Sequence, residues 1–443
     1  MFQITHVTAK SPRFLSKAFK LSKEGELVVA PGGRLFEGMG RIERFDSFKD
    51  FFSLIQNLSS NEALIYGIPK NSPSRFDIVT RKTYEEKIKE FPALAKTRSL
   101  IPRTKDFFDW NQGPGVLTLD YDPYGKPLTK DELLNIVYSV VPDLKKTAHV
   151  WKPSVSSCIK NEGTGQQYRG IKGQRIYIAV EKASDVPRAG QALFERLWLA
   201  RHGFINVSKS GALLVRTLID DSIWQAERLD FIGKAHLEKP LIQNAPTPEL
   251  LGLDGRLLDS QRLIPDLTKD ERRLYLQLVR DAKEEKKPEQ EKKQEEWIKE
   301  REKECPAESL ESKRVALREG ILRGDFVVTL SNGENVTVDD MLKDPKRYHG
   351  RKGPDPLEKD YHNSKDIAFY NLSKERPYVH SFAHGGHKLF LQGSEPVMKK
   401  YMETIQKIFP QRQNVSIKND DPSSGPSFLK QFRCRGQNEE RER

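Results

Sequence analysis

The chain has 443 residues, which corresponds to about three folding units at roughly 150 residues per domain. Apolar residues make up 36% and charged residues 31%, which excludes a chain disordered throughout and leaves enough apolar sequence for a core. The formal net charge of +12 predicts an anionic partner such as nucleic acid or nucleotides.

Cysteine usage and hydropathy indicate the cellular setting. Cys158, Cys305 and Cys434 lie far apart and form no CxxC pair, so neither a disulfide framework nor a cysteine zinc site is predicted. The N-terminal residues lack the apolar region of a signal peptide, and no stretch approaches the roughly 20 apolar residues of a membrane span. We therefore expect a cytoplasmic protein with no membrane contact.

Residues 1–110 have the pattern of an α+β segment that leads into the next domain. Short β-type runs occupy 27–30 (LVVA) and 63–68 (ALIYGI), and a helix is predicted over 47–58.

Residues 111–265 alternate between strand and helix patterns. A helix from Thr129 opens with a capping box to Glu132, and a second helix starts at Ser184 or Asp185 and ends at Gly203. Strands are predicted at 116–119 (VLTL), 175–180 (RIYIAV), 204–207 and 212–219. This order predicts one α/β domain that ends near residue 265.

The rest of the chain divides at a highly charged segment. Residues 266–311 predict a solvated, charged helical linker, because most side chains from Asp281 to Glu304 are charged. Residues 312–393 predict a small mixed β/α domain with a hairpin that turns at Asn332-Gly333. Residues 394–443 predict an amphipathic helix over about 395–409, followed by a flexible tail.

Two carboxylates follow the VLTL strand in the run Asp120-Tyr121-Asp122. Alternate residues of a strand point the same way, so both can project from one sheet edge and hold Mg²⁺ or Mn²⁺. The alternative is a simple turn, because Asp and Pro are ordinary turn residues.

Residues downstream offer phosphate contacts. Ser154, Ser156 and Ser157 precede a glycine-rich loop at 161–173, whose N–H groups and hydroxyls suit phosphate, unless the loop is only flexible. Lys209 and Arg216 could neutralise a triphosphate, and Asp220 or Asp230 could supply a third carboxylate. The alternative for each is a surface charge at a strand end.

The order of VLTLDYDP, a serine-rich motif, GQRIYI, LFERLWLARHG and VSKSGALLVRTLIDDSIWQAERLDF resembles the archaeo-eukaryotic primase superfamily over about residues 110–245. The resemblance is to primases and primase-helicases of prophages and other mobile elements. The later run VTVDDMLKDPKRYHG…DPLEKDY…HSFAHGG also resembles sequence that follows the primase core in such proteins.

The resemblance implies a two-layer α/β core that joins nucleotides on a DNA template with divalent metal. Asp120 and Asp122 match the metal-binding first motif, and Ser156 and Ser157 fall in the nucleotide-binding second motif. That motif usually includes a histidine, whereas this chain has Arg175 there, which can bind phosphate but cannot act as a neutral imidazole. Asp230 is slightly preferred over Asp220 as the third metal ligand.

Two further features distinguish this chain. Many relatives continue into a helicase module, but no G-x-x-x-x-G-K-[ST] occurs in the sequence. Either a separate replicative helicase is a partner, or the chain is a shortened relative whose tail has diverged. His380, His384 and His387 could ligate zinc, but no nearby cysteine completes the set. We favour a structural or DNA-contacting role for the three histidines.

The sequence thus predicts an α+β protein with an α/β two-layer primase-type core. Its predicted function is to make primers on single-stranded DNA from nucleoside triphosphates by two-metal nucleotidyl transfer, for a prophage or other mobile element. The alternatives are a catalytically silent DNA-binding replication factor and a metal-dependent phosphohydrolase.

Overall fold

A computed structural model describes residues 1–408 except 31, 33, 71, 72 and 98. The predicted flexible tail, residue 409 of the predicted helix and Cys434 lie outside these residues. Within the described ranges, no helix has both the length and the apolar composition to cross a membrane.

The N-terminal region is mainly β-structure with three helices. Its elements are β1 (Phe2–Ser11), β2 (Ala18–Leu21), β3 (Leu27–Ala30), β4 (Glu37–Phe45), α1 (Phe48–Asn57), β5 (Glu62–Ile65), β6 (Ile68–Pro69), β7 (Arg75–Val79), α2 (Arg81–Glu90), α3 (Ala93–Thr97), β8 (Leu100–Pro102) and β9 (Phe108–Asp109). The predicted strand at 27–30 and the predicted helix at 47–58 are confirmed.

The central region alternates strands and helices. Its elements are β10 (Gly115–Tyr121), α4 (Lys130–Val140), β11 (His149–Pro153), β12 (Ile159–Asn161), β13 (Gln174–Val180), α5 (Val186–Leu199), β14 (Gly203–Val207), β15 (Leu213–Thr217), β16 (Leu229–Asp230), β17 (His236–Leu237), β18 (Leu241–Gln243), β19 (Glu249–Leu251) and α6 (Ser260–Leu263). The capping box at Thr129 and Glu132 is present at the start of α4, as predicted.

Two sheets form the centre of this part of the molecule. A six-stranded sheet has the order β16-β5-β1-β4-β7-β8, and a four-stranded sheet has the order β10-β13-β11-β19. One face of the four-stranded sheet packs on the N-terminal region through buried side chains such as Phe51, Val150 and Tyr177. The opposite face packs against α4 and α5 through Leu117, Ile178 and their neighbours. Successive side chains of β10 and β13 point to opposite faces of the sheet, so they enter alternately the core shared with the N-terminal region and the core beneath α4 and α5.

The end of α5 differs from its prediction. The helix ends at Leu199, and Arg201 adopts a left-handed φ of 65° before the chain turns into β14. Gly203 is the first residue of β14, where the Trp198 ring occupies the space that a Cβ would need. Gly203 is thus required for close packing of the ring and does not end the helix.

The charged segment forms two long helices, α7 (Lys269–Glu285) and α8 (Lys287–Glu304). Tyr275 and Leu278 of α7 pack against the core beneath α5, and Trp297 of α8 is buried in the core of the following domain. The segment is helical as predicted, but it is not merely solvated, because α7 packs partly buried apolar side chains and α8 buries Trp297.

The accessory domain follows these helices. Its elements are α9 (Leu310–Glu319), β20 (Ile321–Arg323), β21 (Val327–Thr329), β22 (Asn335–Thr337), α10 (Val338–Lys343), α11 (Pro345–Tyr348), β23 (Lys352–Gly353), β24 (Ala368–Asn371), β25 (Tyr378–Ser381), β26 (His387–Gln392) and α12 (Glu395–Ile408). A five-stranded sheet has the order β20-β26-β25-β24-β23, and the hairpin β21-β22 turns through Gly333 at φ 85°, as predicted. The predicted α+β class is confirmed.

Candidate active site

A cavity of about 240 Å³ lies where β10 and β11 end and β13 begins. It contains both acidic and basic side chains. Its lining residues are Lys17, Gly32, Asp120, Asp122, Lys152, Pro153, Ser154, Val155, Ser156, Arg175, Phe231 and Ile232. Four of the predicted site residues, Asp120, Asp122, Ser156 and Arg175, therefore share one cavity.

Strand register brings the charged residues together. In the antiparallel ladders, Asp120 of β10 lies opposite Arg175 of β13, and Lys152 of β11 lies opposite Arg175 on the other side. Directly opposed residues place their side chains on the same face of a sheet. The sheet thus presents an acid–base–base row towards the cavity.

Arg175 bridges two carboxylates. Its Nη2 donates to Asp120 Oδ2 at 3.0 Å, and its Nη1 pairs with Asp230 Oδ1. The other oxygen of Asp230 accepts hydrogen bonds from the hydroxyls of Tyr66, at 2.6 Å, and Tyr177, at 3.0 Å. Asp230 Oδ2 is thus engaged in two hydrogen bonds, whereas Oδ1 has the Arg175 guanidinium as its ion-pair partner and no hydrogen bond among the described residues.

Pairing of β16 with β5 brings Asp230 into this network. The Asp230 side chain is only 6% exposed, so its charge depends on compensation by Arg175 and the two phenols. Burial raises the pKa of Tyr177 to about 12, which keeps its hydroxyl protonated as a donor. Burial alone would lower the pKa of Arg175. The nearby Asp120 and Tyr177 have the larger combined effect and raise the pKa of Arg175 above its usual range.

Asp122 has a different environment. Its side chain makes no hydrogen bond or ion pair with any described residue. Burial raises the pKa of Asp122, and the nearby Asp120 carboxylate raises it further. The charges of Lys17 and Lys172 lower it. Asp120 and Asp122 therefore repel each other, and Lys17 and Lys172 offset only part of the effect.

The metal predicted from the sequence fits two of its three expected ligands. Asp120 and Asp122 offer carboxylate oxygens to the cavity, and hard divalent cations prefer such oxygens. Asp230 does not fit as a ligand in this arrangement, because Arg175, Tyr66 and Tyr177 occupy its oxygens. Among the described residues, no group of three or more His, Cys, Asp or Glu side chains is arranged to hold a metal ion.

Asp220, the other candidate for the third carboxylate, lies beside the Asp120-Tyr121-Asp122 run. Its main-chain N–H donates to the carbonyl of Asp120 at 2.9 Å. Its carboxylate accepts from the N–H and the hydroxyl of Ser222, at 2.9 and 3.0 Å, and its charge contributes to the raised pKa of Asp122. Asp220 thus contributes to the raised pKa of Asp122 from a separate turn, where Ser222 holds its carboxylate.

The two predicted serines lie in different places. Ser156 lines the cavity. Ser157 is fully buried, donates to the carbonyl of Gly173 at 3.1 Å and accepts from the N–H of Lys172 at 3.0 Å. Ser157 therefore fixes the glycine-rich loop from inside, whereas the Ser156 hydroxyl lies 3.0 Å from the Ser154 hydroxyl at the cavity wall.

Lys209 and Arg216 lie at the contact with the accessory domain. Lys209 pairs with Asp360 at 2.5 Å, and Arg216 donates to the carbonyl of His384 at 3.1 Å. The cavity that holds Asp120 has neither residue in its lining. Their predicted contact with nucleotide stays a prediction, and the structure gives both of them protein partners.

The three histidines of the accessory domain do not share a centre. His384 pairs with Glu358 at 2.9 Å, and His387 lies 3.5 Å from Asp355. His380 Nδ1 is buried without a hydrogen-bond partner in the described part of the chain. The three imidazoles thus have different neighbours: Glu358 for His384, Asp355 for His387, and no hydrogen-bond partner among the described residues for His380 Nδ1.

Two lysines of the cavity, Lys17 and Lys152, were missed by the sequence analysis. Lys152 lies two residues before the predicted Ser154, and this spacing was the sequence signal that could have identified it, because residues two apart in a strand share a face. Lys17 precedes the short strand β2 and has no motif around it, so only the tertiary structure shows its position near Asp122.

No protein-family model matches this chain, and searches of curated proteins and of solved structures found no match.

Proposed function

We propose that the chain is a DNA-directed nucleotidyltransferase of the primase or polymerase type. It makes primers on single-stranded DNA for replication of a prophage or other mobile element, together with a separate helicase. One observation carries the proposal: Asp120 and Asp122 face a cavity that Lys17, Lys152 and Arg175 also line. Nucleotidyl transfer needs both features, since carboxylates hold cations and basic side chains neutralise triphosphate.

The residues of the cavity have separable tasks. Asp120 and Asp122 would hold Mg²⁺ or Mn²⁺, which supplies charge neutralisation at the reacting phosphate when bound. Lys152 and Lys17 offset the triphosphate charge, and the hydroxyls of Ser154 and Ser156 donate to phosphate oxygens. Arg175 holds Asp120 in place through its 3.0 Å hydrogen bond.

An exposed aromatic side chain near the carboxylates suits a single-stranded template. Tyr124 is 61% exposed, and its ring stacks on Phe204 with centroids 4.8 Å apart. A supported, exposed ring is a platform for an unpaired base, and stacking of this kind is independent of base identity. The net charge of +12 adds a salt-dependent attraction to the phosphates.

One observation favours a second candidate, a catalytically silent replication factor that binds DNA. Arg175 already pairs with Asp120 and Asp230, so both carboxylates have a compensating positive charge without a cation. A protein that kept the fold only as a DNA-binding platform would retain such a network for stability.

Primer synthesis on single-stranded DNA tests the two candidates. The assay supplies labelled ribonucleotides or deoxynucleotides with Mg²⁺ or Mn²⁺, with and without an annealed primer. We expect template-dependent products that disappear when the cation is chelated. Retained DNA binding with no product in any combination would support the silent platform instead.

Lys152 gives a prediction about pH. Burial, and then the charge of Arg175, lower the pKa of Lys152 to about 8. The free protein therefore loses this positive charge as the pH rises through about 8, whereas a bound triphosphate would favour the charged form. We expect nucleotide binding above that pH to take up a proton and to weaken, as measured by calorimetry in buffers of different ionisation enthalpy.

Variants of Lys152 sharpen this prediction. Lys152→Arg should remove the pH dependence because arginine stays charged. Lys152→Met should weaken binding at neutral pH by roughly tenfold or more, the usual value of a charged hydrogen bond. The matched control is Lys146→Met, since Lys146 is exposed outside the cavity. Equal proton uptake in wild type and Lys152→Met would contradict this role.

A further inference from the structure

The accessory domain contacts the core through a segment that we call the strap, residues 358–366. Near its start, Asp360 pairs with Lys209 at 2.5 Å, in the turn between β14 and β15. At its end, Asp366 pairs with Arg34 at 2.5 Å, and Arg34 also donates to the Ser364 hydroxyl at 2.9 Å. Arg34 lies two residues from Gly32, which lines the candidate active site. The strap therefore links two separate parts of the core.

A buried carboxylate fixes the first residue of the strap. Glu358 accepts hydrogen bonds from the N–H of Ser210, at 2.9 Å, and from its hydroxyl, at 2.8 Å. The other oxygen of Glu358 pairs with His384 at 2.9 Å. Burial alone would raise the pKa of Glu358, but the hydrogen bonds from His384 and the serines lower it to about 2. This end of the strap is thus a built contact between the two domains.

The middle of the strap presents His362 in a constrained conformation. His362 and its neighbour Asn363 both have a left-handed φ of 51°, which is unfavourable for residues with a Cβ. The His362 ring stacks on Tyr361 at 4.3 Å, and Tyr361 in turn packs edge-on against His384 at 4.6 Å. Strained backbone of this kind persists only where the surroundings fix it, and it concentrates at binding sites.

His362 does not itself line the cavity, but two residues that do line it influence its charge. Burial lowers the pKa of His362, and the charges of Lys17 and His384 lower it further, whereas Asp122 raises it. Lys17 and Asp122 both line the cavity, so the imidazole lies within the field of the site. The side chain is nevertheless exposed, which leaves its ring nitrogens accessible to a ligand.

We propose that the strap crosses the mouth of the cavity and that His362 contacts the phosphates of the bound nucleotide there. The inference rests on the proposed function and adds to it a nucleotide-binding residue from the accessory domain. An imidazole N–H can donate to a phosphate oxygen beside Lys17, and the positive field of Lys17 suits the same anion. The two outer ion pairs are exposed and individually weak, so the part of the strap beyond the buried Glu358 can release to admit nucleotide and template.

Paired glycine substitutions test the role of His362. His362→Gly removes the imidazole while glycine tolerates the left-handed backbone, and Asn363→Gly makes the same backbone change with the imidazole kept. We expect His362→Gly to raise both the Kd for a labelled nucleotide and the KM in primer extension by about tenfold, a typical loss for one phosphate hydrogen bond. Asn363→Gly should bind nucleotide as the wild type does.

A charge swap tests the anchor. Asp360→Lys should weaken nucleotide binding, and the pair Lys209→Asp with Asp360→Lys should restore it, because the ion pair is re-formed in reverse. Equal Kd values for His362→Gly and Asn363→Gly, with an active wild type, would overturn the strap proposal and leave the proposed function intact. A wild type that neither binds nucleotide nor extends primers would overturn both.

Discussion

Replacing Asp120 and Asp122 together with asparagine should lower the rate of nucleotide incorporation by roughly 1,000-fold or more. A cation held at a reacting phosphate contributes several kcal/mol of transition-state stabilisation, and each loss of about 1.4 kcal/mol lowers the rate tenfold. Asparagine keeps the size of both side chains, and Arg175 keeps its contact with Asp230. The measurement is the initial rate of primer extension on single-stranded DNA with saturating cation and nucleotide.

The control for this experiment is a carboxylate outside the cavity. Asp143 pairs with Arg256 at 3.5 Å, and both side chains are more than 40% exposed. Asp143→Asn should therefore leave the rate within about twofold, because exposed ion pairs contribute little to stability or geometry. Undiminished incorporation by the double variant would rule out Asp120 and Asp122 as cation ligands.

Arg175→Met should destabilise the folded core by about 3–5 kcal/mol, because it leaves the buried Asp230 carboxylate without its compensating charge. Tyr66 and Tyr177 would still donate to Asp230, but neutral donors offset only part of the cost of a buried charge. Urea unfolding of wild type and variant, followed by tryptophan fluorescence, measures the difference in the free energy of unfolding.

A double variant separates the lost charge pair from lost packing. Arg175→Met combined with Asp230→Asn removes both charges and should recover most of the lost stability, because no uncompensated carboxylate remains. Lys10→Met is a matched control, since Lys10 pairs with Asp77 where both side chains are more than half exposed. That variant should change the free energy of unfolding by less than about 1 kcal/mol. Equal stability of Arg175→Met and wild type would contradict the compensating role of Arg175.

The parts of the fold that the sequence predicted are those with local causes. The VLTL run forms β10 because a short β-type stretch that is apolar except for Thr118 can be buried on both faces of a sheet. The helix α4 begins at the predicted place because Thr129 and Glu132 satisfy each other's backbone N–H groups within one turn. Such signals need only a few neighbouring residues.

The partners of the site residues had no comparable signal. Tyr66 donates to Asp230 across 164 residues of sequence, and Lys209 pairs with Asp360 across 151 residues. Neither pairing follows from spacing, because both depend on how separate sheets and domains pack. The sequence left the third carboxylate open between Asp220 and Asp230 for the same reason.

The place of β16 at the edge of the six-stranded sheet has a consequence during synthesis of the chain. The other strands of that sheet come from residues 1–102, so the edge of β5 stays open until Leu229 and Asp230 emerge. An unpaired edge is a template for intermolecular pairing, and N-terminal segments fold first as a chain is made. We therefore expect chains terminated before residue 229 to aggregate through β5 more readily than the full chain, as measured by light scattering of the two.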